Sequence, residues 1–235
     1  MVSLCVVRRD RTSPTHPCRT VTRMRSKHAV QTVTRSIPIS VTTVVLIGLG
    51  SVALGAAPSQ ADSTPISLAS TRVFIEGDSL TVGSAGALKS QLRRHVKSVT
   101  VDAQVGRHTG EGIRKLRSPA AKAAGIWVVA LGTNDSPSSA QTRKNVAHVM
   151  KLAGKNRQVI WVNVVRPGGY GRVNRTLRAL DAANPQLTVI DWAAVIRKQR
   201  ELLSGDRVHL TPKGYRIRAI ETRYAILSLA QPATS

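Results

Sequence analysis

The residues best suited to chemistry stand in two groups far apart in the chain. One group is three short loops, each closing an apolar, β-rich run: Gly77-Asp78-Ser79-Leu80, Gly106-Arg107 and Gly132-Thr133-Asn134-Asp135. The other is Asp206-Arg207-Val208-His209, just ahead of Thr211-Pro212. Together they offer a hydroxyl, an imidazole with a carboxylate three residues before it, glycine amides and a carboxamide. Acyl transfer needs this set. A serine hydroxyl is a poor nucleophile until a base takes its proton. Imidazole exchanges protons near neutral pH, so His209 suits that task. Asp206 would fix the ring tautomer and stabilise the imidazolium. The oxyanion formed on the attacked carbonyl needs fixed donors, which the Ser79 N–H, the Gly106 N–H and the Asn134 side-chain amide can supply. Taken singly, each residue has a plainer role: Ser79 as a helix cap, Asn134 as a turn residue, His209 as a surface histidine. Their joint occurrence, with Asp206 beside His209, favours the chemistry.

These loops are useful only if the fold gathers them. Five runs, 72–77, 99–106, 126–133, 159–165 and 187–191, are mostly apolar at consecutive positions, as in strands buried on both faces. Helical stretches at 85–96, 138–153 and 172–183 alternate with them, and a last helix is expected from Pro212 to about residue 229, with proline in its first turn. Such alternation predicts a doubly wound parallel sheet of the α/β class. Ligands of these sheets bind outside the carboxyl ends of the strands, where the three loops would converge. Trp127, Trp161 and Trp192 lie in or beside predicted strands and are expected in the core. Asp78 and Asp135 are expected to bond their own loops, and Asp102 and Asp191 to be structural. Tyr170, in Pro167-Gly168-Gly169-Tyr170-Gly171, and Arg107 are the candidate substrate contacts; Tyr170 would stack on a sugar or line an acyl pocket. No His and carboxylate spacing suggests a metal site, and no cofactor is expected.

The ordered blocks resemble those of the SGNH (GDSL) hydrolases. GDSL at 77–80 matches the first block, Gly106 in VDAQVGRH the second, GTND at 132–135 the third and DRVH at 206–209 the last. The resemblance implies a flavodoxin-like three-layer α/β/α sandwich with a five-stranded parallel sheet. It also implies metal-free esterase or acyltransferase activity. VDAQVGR, VIDWA and DRVHLTPKGYRIRA are further similar to extracellular SGNH domains of bacterial cell-wall O-acetyltransferases. Those usually share a chain with a multi-pass membrane domain, so a transferase role here would call for a separate partner. His108 departs from the pattern, standing where related sequences often carry Gln.

The remaining composition narrows location and partners. Residues 41–57 carry no charge, follow a basic stretch and precede Ser59-Gln60-Ala61. This reads as a secretory signal cut after Ala61, or as an uncleaved membrane anchor; Met24 is an alternative start. The expected organisation is a leader at 1–61, a linker at 62–71, the main domain at 72–231 and a tail at 232–235, with the domain outside the cytoplasm. Both cysteines, Cys5 and Cys18, lie in the leader, which excludes a cysteine nucleophile or disulfide in the main domain. The net charge is +23. Residues 1–61 hold 8 Lys/Arg and one Asp, so the rest remains strongly basic, with 27 basic and 11 acidic residues. Such a field draws anionic partners. Aromatic content of 3% argues against single-stranded nucleic acid, whose binders use stacking platforms. The expected substrate is a small ester or acylated glycan, with an anionic cell-wall polymer as a further partner. Hydrolysis of short acyl esters on carbohydrate is the expected activity. Acetyl transfer to a cell-wall glycan and a non-catalytic basic cell-wall-binding module are the alternatives.

Overall fold

The computed structural model describes residues 66–230. The leader with its apolar stretch 41–57, Met24, both cysteines, the first part of the expected linker and the tail lie outside the described residues.

Five strands, β1 (Arg72–Gly77), β2 (Ser98–Ala103), β3 (Ile126–Ala130), β4 (Gln158–Val162) and β5 (Leu187–Ile190), form one sheet in the order β2-β1-β3-β4-β5. Every pairing is parallel. Seven helices connect and flank them: α1 (Ser79–Leu92), α2 (Thr109–Lys115), α3 (Pro119–Lys122), α4 (Ser139–Ala153), α5 (Tyr170–Ala182), α6 (Trp192–Lys198) and α7 (Pro212–Ser228). The expected α/β/α sandwich with a five-stranded parallel sheet is the architecture found.

The sequence dictates the layering through the two-residue period of the strands. Val73 and Ile75, Ile126 and Val128, and Ile160 and Val162 point to one face, where they pack with Leu88 and Leu92 of α1, Trp192 of α6 and Ile226 of α7. The intervening Phe74, Trp127, Val129, Val159 and Trp161 point to the other, against Ile113 of α2, Ala121 of α3, Val149 of α4 and Leu177 of α5. All three tryptophans are buried, as expected. Trp127 stays satisfied by donating its indole N–H to Ala121 O at 2.8 Å. β2 is an edge strand and is correspondingly less buried than β1 and β3.

Several boundaries differ from the expected ones. α1 begins at Ser79, not 85, because the Asp78 carboxylate caps it by accepting from Leu80 N–H at 3.0 Å. Its first turns are rich in Gly, Ser and Ala, which hides the apolar period. Gly83 is small for a reason: a Cβ there would lie 2.4 Å from the Tyr215 ring of α7. β2, β3 and β4 end three residues earlier than their apolar runs, which carry on into loops. The packed chain also starts before Arg72. Leu68–Ser70 form a 3-10 turn, and Ile66 and Leu68 pack on the α1/α7 side of the core, so the last part of the expected linker belongs to the domain. The short helices α2, α3 and α6 had no recognisable period in the sequence.

Candidate active site

Ser79 owes its position to the β1-to-α1 junction. Gly77 ends the strand where a Cβ would come within 2.0 Å of Thr81 Oγ1, so only glycine fits. Asp78 is fully buried and caps the helix; burial raises its carboxyl, against the nearby Arg218 guanidinium. Ser79, the first residue of α1, is half-buried.

His209 arrives from the other end of the chain. Its Nε2 lies 3.0 Å from Ser79 Oγ, and its Nδ1 lies 2.6 Å from Asp206 Oδ2. The other carboxylate oxygen, Oδ1, accepts from Val208 N–H at 3.0 Å, His209 N–H at 2.9 Å and the Ser204 hydroxyl at 2.8 Å. The bond to His209, then these donors, hold the Asp206 carboxyl well below the usual carboxylate range. An ionised Asp206 is an acceptor only, so it takes the Nδ1–H and leaves Nε2 bare toward the Ser79 hydroxyl.

The loop carrying this pair is closed at its base. Ser204 N–H donates to His209 O at 2.8 Å, and Leu203 and Leu210 form an antiparallel bridge. Thr211 then caps α7 by accepting from Gly214 N–H at 3.2 Å. Gly214 packs on the Leu202 carbonyl, where a Cβ would lie 2.3 Å from the oxygen. Arg207, inside the loop, is the one non-glycine residue with positive φ among the described residues, at 60°. That conformation costs roughly 1–2 kcal/mol, which the Asp206 bonds on either side must offset.

The second and third loops are tied together. Gln104–Arg107 is a turn closed by Arg107 N–H donating to Gln104 O at 3.2 Å. Gly106 stands at its third position with φ 76°, the place where such a turn favours glycine. A Cβ at Gly106 would touch nothing within 4 Å, so conformation and not space selects the residue. Asn134 Nδ2 donates to Arg107 O at 3.1 Å, which leaves its second N–H free to donate elsewhere.

Of the two expected substrate contacts, Arg107 needs correction. Arg107 is 4% exposed and serves the scaffold. Its Nη1 donates to Glu76 Oε1 at 2.5 Å and to Asp102 O at 2.9 Å, and its Nη2 meets Asp102 Oδ1 at 2.9 Å. Glu76 and Asp102 face each other in register across β1 and β2. The acids Glu76 and Asp102 at that strand end draw the guanidinium inward. Burial pushes the Glu76 carboxyl up to about 8, while Arg107 pulls the other way. Sequence reasoning passed over Glu76; a lone acid in the apolar run Val73-Phe74-Ile75-Glu76 was its signal. Tyr170 starts α5, is buried, and donates its hydroxyl to Asp135 O at 2.6 Å. Its ring lines a cleft of about 550 Å³ that reaches Ser204 and Arg207.

Of the other singled-out acids, Asp191 is structural as expected, while Asp135 bonds the neighbouring loop instead of its own. Asp135 accepts from Thr109 N–H at 3.2 Å and meets His108 Nδ1 at 3.1 Å, which gives His108 a partner across the loops. Asp191 caps α6 through Ala194 N–H and pairs with Arg178. Among the described residues, no group of three or more His, Cys, Asp or Glu stands close enough to hold a metal ion.

The strand order, the helices on both faces and the gathering of these loops at the carboxyl edge of the sheet define the fold of the SGNH/GDSL hydrolases. Similar solved structures include the C-terminal catalytic domain of Streptococcus pneumoniae peptidoglycan O-acetyltransferase A (OatA) with a methylsulfonyl adduct. It is 21% identical with a TM-score of 0.57, and the match covers 69% of this chain and 95% of that one. The lipase Lip_vut3 from a goat rumen metagenome is 23% identical with a TM-score of 0.55, over 66% of this chain and 97% of that one. A protein described as an SGNH hydrolase from Slackia heliotrinireducens is 20% identical with a TM-score of 0.53, over 67% and 99%. By sequence, the chain is 27% identical over 145 residues to YrhL of Bacillus subtilis (strain 168), named as a peptidoglycan O-acetyltransferase. That match covers 60% of this chain and 22% of YrhL, so the chain spans about a fifth of that relative's length. No family model matches the chain.

Proposed function

We propose that the chain is a secreted serine esterase that removes short acyl groups, O-acetyl foremost, from carbohydrate. The observation that carries this is the unbroken relay from Ser79 Oγ through His209 Nε2 and Nδ1 to Asp206 Oδ2, at 3.0 and 2.6 Å. His209 takes the Ser79 proton as Oγ attacks the ester carbonyl. The oxyanion is met by the Ser79 and Gly106 N–H groups and the free Asn134 N–H. The C–O bond to the sugar then breaks, and the sugar oxygen leaves with the proton from His209. Water, deprotonated by His209, attacks the acyl-serine and releases the acid.

Transfer of the acyl group to a glycan hydroxyl, with that hydroxyl in place of water, is a second reading. The likeness to YrhL and to the OatA catalytic domain favours it. Either path passes through the same acyl-enzyme. In both, residues 41–57 act as the export signal or anchor.

The test is turnover of an aryl acetate by the full chain and by Ser79→Ala. Wild type should release acid and Ser79→Ala should fall to background with an unchanged circular dichroism spectrum. Equal turnover by the two rejects the serine mechanism. Acid release unaffected by added glycan favours the esterase; acyl appearing on the glycan in place of acid favours the transferase.

A further inference from the structure

The cleft of about 550 Å³ lies between the start of α5, α6 and the Ser204–Arg207 turn. All its charged lining is arginine: Arg166, Arg197, Arg200 and Arg207, with no Asp or Glu in the wall. All four are exposed. Among the described residues, none has a carboxylate oxygen within 4.0 Å. The Asp191 carboxyl, held low against burial by its bonds from Asn163, Ala194 N–H and Arg178 and least by Arg197, is already engaged by those three. Four guanidinium groups line one concavity with no carboxylate in its wall, so the arrangement favours a ligand that brings negative charge.

The cleft borders groups of the candidate active site in two places. Ser204, in its wall, donates to the Asp206 carboxylate and to the His209 carbonyl. A recess of about 310 Å³ shares Arg166, Pro167 and Tyr170 with the cleft and reaches Asn134. The other polar groups in the wall are largely consumed. Asn174 binds the Val164 N–H and carbonyl with the two ends of its amide, and Tyr170 has given its hydroxyl to Asp135. Arg166 spends one N–H on Thr133 O and keeps the others. Recognition therefore falls to guanidinium forks, which match carboxylate and phosphate. Val164, Ile196, Leu203 and the Tyr170 ring supply apolar wall suited to the C–H faces of sugars. A volume of this order holds a few sugar units, and the only aromatic ring is built into the wall, so stacked bases are poorly served.

We propose that this arginine cleft is a subsite for an anionic glycan, a saccharide strand whose sugars carry carboxylate or phosphate groups, held so that an ester on the strand meets Ser79. Its role as a substrate subsite rests on the acyl-transfer reading above; its binding does not.

The test is equilibrium binding of labelled polygalacturonate, poly(glycerol phosphate) and neutral dextran to the full chain, at low salt and at about 0.15 M. Tight binding of one or both anionic polymers is expected, with none of dextran, and the preferred polymer tells carboxylate from phosphate. The double variant Arg197→Gln/Arg200→Gln should weaken that binding about tenfold or more. Arg143→Gln/Lys144→Gln removes the same charge from α4, which packs on the sheet face opposite α6, and should change it less than about twofold. Equal losses in the two variants would mean a diffuse field and overturn the subsite. So would dextran bound as well as the polyanions, or single-stranded DNA bound more tightly than either with the same arginine dependence. Aryl acetate turnover is followed on the same wild-type preparation. Binding lost with turnover kept sinks the cleft alone, and turnover lost with binding kept sinks the acyl-transfer reading alone.

Discussion

At the residue scale, the division of labour around Asp206 is clear. One carboxylate oxygen serves the His209 ring, while the other is saturated by two backbone N–H groups and the Ser204 hydroxyl. Asp206→Asn should therefore keep the loop shape but present an N–H or a weaker acceptor to Nδ1, which favours the wrong tautomer. A fall of about 10²–10⁴ in kcat is expected, with KM little changed; a loss below threefold would show that the ring is oriented by something else. Asn134 should act only on the developing charge. Asn134→Ala is expected to lower kcat about 10²–10³-fold with little effect on the thermal midpoint, and steady-state kinetics beside a melting curve checks both halves. The sequence was most legible here, since the hydroxyl, imidazole, carboxylate and carboxamide each lie in a short block with its own chemistry. Arg107 was misread for a physical reason. A linear sequence shows a guanidinium in a functional loop but not the two strand-end acids, Glu76 and Asp102, that draw it inward.

At the element scale, the site depends on how β1, β2 and α7 are pinned. Arg107 joins the ends of β1 and β2 and carries on its own carbonyl the bond that positions Asn134. It is a positioning residue. Arg107→Ala leaves buried acceptors without donors and should cost about 3 kcal/mol in chemical denaturation. It should also lower kcat more than it raises KM, a split that simple loss of stability would not produce. Glu76 gives a pH signature. Its folded carboxyl titrates near 8, above the ordinary value of 4.5. The native state thus keeps a proton that the unfolded chain releases. The stability this contributes is full below about 4.5 and is lost as pH rises through about 8. The urea midpoint of Glu76→Gln should accordingly depend less on pH between 5 and 8 than that of wild type, and parallel curves would refute the assignment. Gly214→Ala should be harmful because the Leu202 carbonyl already occupies the space of a Cβ. A loss of about 1–3 kcal/mol with reduced turnover is expected, since the His209 loop leads directly into α7. The strands and long helices were readable from apolar runs, but α2, α3 and α6 were not, because seven residues or fewer give no reliable period.

At the scale of the whole molecule, the described domain has a two-sided core and a basic exterior. No helix among the described residues is long and apolar enough to cross a membrane. The order of the strands places the first, second and third loops side by side, which is why residues spread from Gly77 to His209 can meet. The sheet order was legible only through the family resemblance, because alternation of strands and helices fixes the class but not which strands are neighbours. The arginine cleft was not legible at all. Arg166, Arg197, Arg200 and Arg207 look like scattered surface charge in a chain of net charge +23, and only the packing of α5 and α6 beside the Ser204–Arg207 turn collects them. Both cysteines lie before residue 20, so a reductant should leave the melting temperature of the domain unchanged.

The most direct measurement is covalent labelling of the full chain with a fluorophosphonate, read by peptide mass spectrometry beside the remaining aryl acetate turnover. One label per chain is expected on the peptide containing Ser79, with activity lost in proportion to its incorporation and no labelling of Ser79→Ala. Modification elsewhere with Ser79 untouched, or full turnover after Ser79 is labelled, would contradict a nucleophile at that position.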